Sequence, residues 1–119
     1  MKVYIAGPYS RGDMALNVRR ACEVGAILLA AGHAPFVPHL THFWHMLFPQ
    51  DYEDWLAYDR EWVLACDALL RLGGDSPGAK QEEVWAMQAG IPVFYDIGDL
   101  PGPGRYRVHR VEEQDEEVN

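Results

Sequence analysis

The sequence predicts an α/β domain: a three-layer sandwich in which helices cover both faces of a mainly parallel sheet of four or five strands. Short β-rich runs alternate with longer helical stretches along the chain, the pattern of parallel strands joined by right-handed crossovers. The first and third of these runs are each followed by a Gly/Pro-containing loop and then a helix start, so the loops collect at one end of the sheet. With 119 residues, 49% of them hydrophobic, the chain is the size of one domain and can bury a core of its own.

Taken in order, Lys2-Val3-Tyr4-Ile5-Ala6 is a strand stopped by Gly7-Pro8, with the loop continuing through Tyr9-Ser10-Arg11-Gly12. Asp13 caps a helix that runs to a stop at Gly32, with Ala15, Val18, Cys22, Ile27 and Leu29 among its apolar positions. Ala34-Pro35-Phe36-Val37-Pro38 reads as a second strand. A loop rich in histidine and aromatic residues is expected from His39 to Gln50, before Asp51 opens a helix through Trp55, Tyr58, Trp62 and Cys66. Asp67 stands at the junction with a third strand, Ala68 to Leu72, where it caps or hydrogen-bonds. Ser76 is a good N-cap and Pro77 fits the first helical position, so a helix begins there and ends at Gly90. Ile91 to Tyr95 is a fourth strand. This order of elements is that of a Rossmann-like, flavodoxin-like sandwich. Beyond a Gly/Pro-rich turn, Arg105 to Val111 alternates as an added edge strand or an arm reaching a neighbouring subunit. The domain is expected to span residues 1–111, and 112–119 to form an acidic, disordered tail.

Composition narrows the function. No apolar run reaches the roughly 18 to 20 residues of a membrane span, and the N-terminus enters a strand without a signal-peptide pattern, so the expected location is cytoplasmic. A net charge of −8 disfavours binding a nucleic acid polymer, although much of it lies in the C-terminal tail. Cys22 and Cys66 sit in predicted helices and read as small apolar residues.

In an open parallel sheet the binding crevice lies at the carboxyl ends of the strands, where the winding reverses. The loops Gly7 to Gly12 and Asp75 to Gly78 both fall there. The amide groups at the start of the Pro77 helix form a seat for an anion, and Glu82, about one and a half turns in, tilts back toward it. Glu83 is rotated about 100° and faces away. Neither loop carries G-x-G-x-x-G or G-K-[ST], so a dinucleotide cofactor and a P-loop are disfavoured. His39-x-x-His42-x-x-His45 matches no standard metal spacing, and a loop covering the substrate is expected there in place of a metal site.

Three blocks carry a family resemblance: Val3-Tyr4-Ile5-Ala6-Gly7-Pro8; Asp59 and Trp62 with Cys66-Asp67-Ala68-Leu69-Leu70; and Ser76-x-Gly78-x-x-x-Glu82-x-x-x-Ala86-x-x-x-Gly90-Ile91-Pro92-Val93. In order and spacing they resemble the nucleoside 2-deoxyribosyltransferases, their relatives the 2'-deoxynucleoside 5'-monophosphate N-glycosidases, and small bacterial and phage proteins with the same core. The resemblance covers about the first 95 residues. It implies Glu82 as the nucleophile on the anomeric carbon, Tyr4 as the hydroxyl that orients it, and Asp59 as the group that handles the base and its proton. It also implies a 5'-phosphate pocket from Gly7, Pro8, Tyr9, Ser10 and Arg11 with Ser76 and Gly78. His39, His42, Phe43 and Trp44 become candidate base contacts or lid residues. The implied ligand is a small nucleoside or nucleotide, with no cofactor and no metal, and the implied assembly is a homodimer or a dimer-based homo-oligomer.

The departures are Lys80-Gln81, where the family often carries glycine and an aromatic or apolar residue before the nucleophile, and Pro8-Tyr9 in the phosphate loop. A cation beside Glu82 would depress its pKa or pair with it. Two functions follow: cleavage or exchange of an N-glycosidic bond through a covalent deoxyribosyl-glutamate intermediate, or binding of a nucleotide or sugar phosphate in the same cleft without turnover.

Overall fold

Local signals start two of the helices where the sequence places them. In the computed structural model, which describes residues 1–101, the Asp13 side chain accepts the Leu16 amide at 3.1 Å and α1 runs over Met14–Ala30. It stops before Gly32, which takes the left-handed φ of +95°. The Ser76 hydroxyl accepts the Ala79 amide at 3.1 Å, and Pro77 opens the helix Pro77–Gln88. Between them the order is β1 (Lys2–Ala6), α1, β2 (Ala34–Phe36), α2 (Thr41–Leu47), α3 (Tyr52–Ala65), β3 (Ala68–Arg71), α4 (Pro77–Gln88) and β4 (Val93–Phe94). Short 3-10 turns lie at Pro38–Leu40 and Ile97–Asp99.

The sheet has the order β2-β1-β3-β4 and every pairing is parallel. Tyr4 pairs with Phe36 on one side and Leu69 on the other. Because strand residues alternate between faces, Tyr4, Ala6 and Leu69 pack against Val63 of α3 and Ala79 and Ala86 of α4. Val3, Ile5 and Leu70 pack on the opposite face against Ala21 and Leu28 of α1. Three layers result, in a Rossmann-like fold with the winding reversing between β1 and β3.

Several boundaries differ from the sequence expectation. The buried positions of α1 are Ala21, Gly25 and Leu28, whereas Ile27 and Leu29 are more than half exposed. β2 ends at Phe36 because Pro38 has no amide to continue the ladder and opens a 3-10 turn instead. The segment expected as a loop from His39 to Gln50 contains α2, which ends at Leu47 because Phe48 precedes Pro49 and is excluded from the helical region. The expected strand or arm at Arg105 to Val111, the domain limit at 111 and the tail 112–119 lie outside the described residues.

Candidate functional site

Glu82 sits on the second turn of α4, only 6% exposed, on the side that faces the sheet. Tyr4 projects from the middle of β1 toward the same layer and donates its hydroxyl proton to Glu82 Oε2. The Tyr4 ring is fixed by a column of aromatics, stacking on Phe36 at 5.5 Å, which stacks on Trp62 of α3 at 4.8 Å. Asp59, one turn before Trp62 on α3, completes the group, and its buried Oδ1 has no partner among the described residues.

Burial governs the electrostatics of this trio. It pushes Asp59 up to about 7. It pushes Glu82 up to about 8, where the Tyr4 hydrogen bond opposes the shift, the Asp59 charge adds to it and the Arg71 charge opposes it. Tyr4 is raised well above the usual phenol value by burial and by Glu82 and Asp59, so it stays a hydrogen-bond donor. Among the described residues the cation acting on Glu82, as the smallest of these causes, is Arg71 from β3, while Lys80, expected from its place in the sequence, is exposed and is not among them. Cys66 is buried with its thiol pushed up to about 11, chiefly by burial, and both cysteines are free.

Glu82 and Asp59 face a cleft of about 590 Å³ at the carboxyl ends of β1, β2 and β3. Adjacent strands bring the two loops together, as the parallel order requires. Arg11 pairs with Asp75 at 2.6 Å across the mouth. Gly74 has φ +119° and packs so closely on Pro8 that a Cβ there would lie 2.7 Å from Pro8 Cγ. Asn17 on α1 holds the first loop by donating to the carbonyls of Tyr9 at 2.9 Å and Arg11 at 2.7 Å. His39 donates Nε2–H to the Pro8 carbonyl at 3.0 Å, and its burial lowers its pKa and favours the neutral ring.

The residues singled out in the sequence divide by position. Tyr9, Ser10, Arg11, His39, His42, Asp59, Ser76, Gly78 and Glu82 all line the cleft. Tyr4 reaches it through Glu82. Gly7 and Pro8 are buried behind it, with a Cβ at Gly7 meeting Leu72 at 3.0 Å. Phe43 and Trp44 project from α2 to the surface, 62% and 49% exposed. Glu83 turns away to Arg71 at 2.7 Å, and the Asp67 carboxylate accepts the Lys2 amide at 2.7 Å at the strand junction.

Sequence reasoning passed over Gln50, Tyr52 and Leu56 in the wall and Asn17 behind it. Tyr9 hydrogen-bonds His42, and His45 Nδ1 accepts the Trp55 indole N–H at 2.7 Å and the Gln50 amide at 3.2 Å. Both partners of that nitrogen are donors, so it carries a lone pair and the His45 proton resides on Nε2. Tyr52 stands opposite Gly78 at the mouth. Asn17 was detectable in principle, since a poor helix former inside a helix usually serves a side-chain bond. Among the described residues, no cluster of three or more His, Cys, Asp or Glu side chains is arranged to hold a metal ion. No helix among them is long and apolar enough to cross a membrane.

Fold and cleft together define a Rossmann-like α/β protein with a buried carboxyl pair at its switch point. The chain belongs to the family described as a domain of unknown function, DUF7768, which matches residues 1–96. No curated protein matches it. Among solved structures it is similar to the 2-deoxyribosyltransferase from the psychrotolerant bacterium Bacillus psychrosaccharolyticus, with 23% identity over 78% of this chain and 69% of that one and a TM-score of 0.56. At that identity the likeness establishes the shared fold.

Proposed function

We propose that this protein cleaves or exchanges the N-glycosidic bond of a 2'-deoxynucleoside or its 5'-monophosphate, with Glu82 as nucleophile. The observation that carries the reading is the Tyr4–Glu82 hydrogen bond beside Asp59, whose buried oxygen has no partner among the described residues, inside one cleft. The fold shared with a 2-deoxyribosyltransferase described as a biocatalyst for nucleoside synthesis supports it.

The chemistry needs the pair to hold one proton. Glu82 attacks the anomeric carbon as a carboxylate while the bond to the base nitrogen breaks, and Asp59 gives its proton to the departing base. Water or a second base then displaces Glu82, with Asp59 taking back the proton. Taken singly, Asp59 titrates below Glu82, the reverse of these roles. A coupled pair shares its proton, however, and Tyr4 and Arg71 both favour charge on Glu82. Positive charge developing on the sugar favours it further. The start of α4 and the loop from Tyr9 to Arg11 form the seat for a 5'-phosphate or 5'-hydroxyl.

The proposal includes a homodimer. The run from Pro38 to Gln50 contains no Asp, Glu, Lys or Arg, and Phe43, Leu47 and Phe48 are 62%, 74% and 65% exposed. Such a face is where copies of a chain with net charge −8 meet with least repulsion.

The test is chromatography of each deoxynucleoside and 5'-monophosphate incubated with the protein, with and without a second free base. Base released without acceptor identifies a hydrolase, and a new nucleoside formed only with acceptor identifies a transferase. Binding without turnover on any substrate overturns the proposal.

A further inference from the structure

Arg71 ends β3 with its side chain only 12% exposed, against α4. Its guanidinium donates in three directions. Nε reaches Glu83 Oε1 at 2.7 Å, Nη2 reaches the Gly74 carbonyl at 2.9 Å, and Nη1 reaches the Leu72 carbonyl. The other Glu83 oxygen accepts the Tyr95 hydroxyl at 3.2 Å, so the partner carboxylate is itself held. One planar cation thereby joins the end of β3, the turn after it and the second turn of α4. The turn has little freedom to settle elsewhere, because Gly74 adopts φ +119° directly against Pro8. Immediately beyond that turn come Ser76 and Gly78 of the cleft rim, and Glu83 is the chain neighbour of Glu82.

We propose that Arg71 is the positioning residue of this site: its fork fixes the β3–α4 turn to the helix carrying Glu82, and so sets where the rim stands relative to that carboxylate. The proposal rests on the reading of Glu82 as the reactive group only for its consequence in catalysis. Lysine cannot replace the fork, since an ammonium is a point charge without the planar array of donors.

The experiment uses the ligand-free full chain, combining amide hydrogen exchange with carbon-13 titration of the Glu82 carboxyl. Arg71→Lys keeps the charge and loses the fork: the amides of Ala79 and Lys80, which bond to the Ser76 hydroxyl and carbonyl, exchange roughly tenfold faster, while the Glu82 midpoint stays within about 0.3 unit. Arg71→Met loses both and accelerates the same amides at least as much. Glu83→Gln weakens the Nε contact and accelerates the same amides, which keeps the test available should Arg71→Met fail to fold. Exchange at wild-type rates in Arg71→Lys overturns the positioning role. Neither readout needs turnover, so a failure of the glycosidic reading leaves both results decisive.

Discussion

Glu82 is a carboxyl group held where its charge is unwelcome, and its titration links chemistry to stability. It forms a buried pair with Asp59 whose folded values of about 7 and about 8 lie above the ordinary carboxyl range, so the pair's contribution to stability is complete below about pH 4 and is lost as pH rises through 7 and 8. Glu82→Gln cannot ionise. Its thermal midpoint, followed by circular dichroism, is expected to fall less than wild type between pH 5 and 9, standing about 5 °C higher at the alkaline end. The same variant is expected to lose turnover by roughly a thousandfold or more while still binding nucleotide in calorimetry. For Asp59 the informative quantity is the pH–rate profile. Wild type should show a bell with limbs near the pair's values of about 7 and about 8. Asp59→Asn should lose the alkaline limb, because that limb is the loss of the acid's proton. Unchanged base release by either variant would sink the assigned roles.

Elements fix the rim of the cleft through their ends. The Ser76 hydroxyl is committed to the Ala79 amide, so Ser76→Ala should cost about 1 kcal/mol, or about 4 °C in the thermal midpoint. Gly74→Ala should cost more, about 2 kcal/mol by chemical denaturation, since it adds left-handed strain to a contact with Pro8. The caps at Asp13 and Ser76 were legible in the sequence because capping is a contact within one turn. α2 was not: Thr41-His42-Phe43-Trp44-His45-Met46-Leu47 has mediocre helix propensity and no cap signal. Contacts from elsewhere hold it, with Trp44 against Trp55 at 5.2 Å and Tyr58 at 5.8 Å, and His45 bonded to Trp55.

At the scale of the molecule, one apolar surface stands out on an acidic protein. If α2 joins two copies, Leu47→Glu should shift the light-scattering mass from dimer to monomer without changing the circular dichroism spectrum, because Leu47 is 74% exposed. A wild-type protein that is monomeric at all concentrations rules that interface out. Pairing of β1 with β3 is likewise a whole-molecule fact with local effect, since it sets the loop after one strand beside the loop after the other and lets Arg11 meet Asp75.

The alternation of strands and helices, their caps and the meeting of two loops at one sheet end were determined by the sequence alone. Each depends on backbone propensity and on the small set of ways a parallel sheet can be wound. The Tyr4–Glu82 bond, 78 residues apart in the chain, the burial of the Asp59 oxygen and the Arg71 fork were decided by tertiary structure. Their properties come from desolvation and from charges on other elements. Neither is encoded in the spacing of neighbours: Lys80 stands near Glu82 in the chain, yet what acts on the Glu82 charge is burial first, then Tyr4 and Asp59 and, least, Arg71, all brought in by the fold.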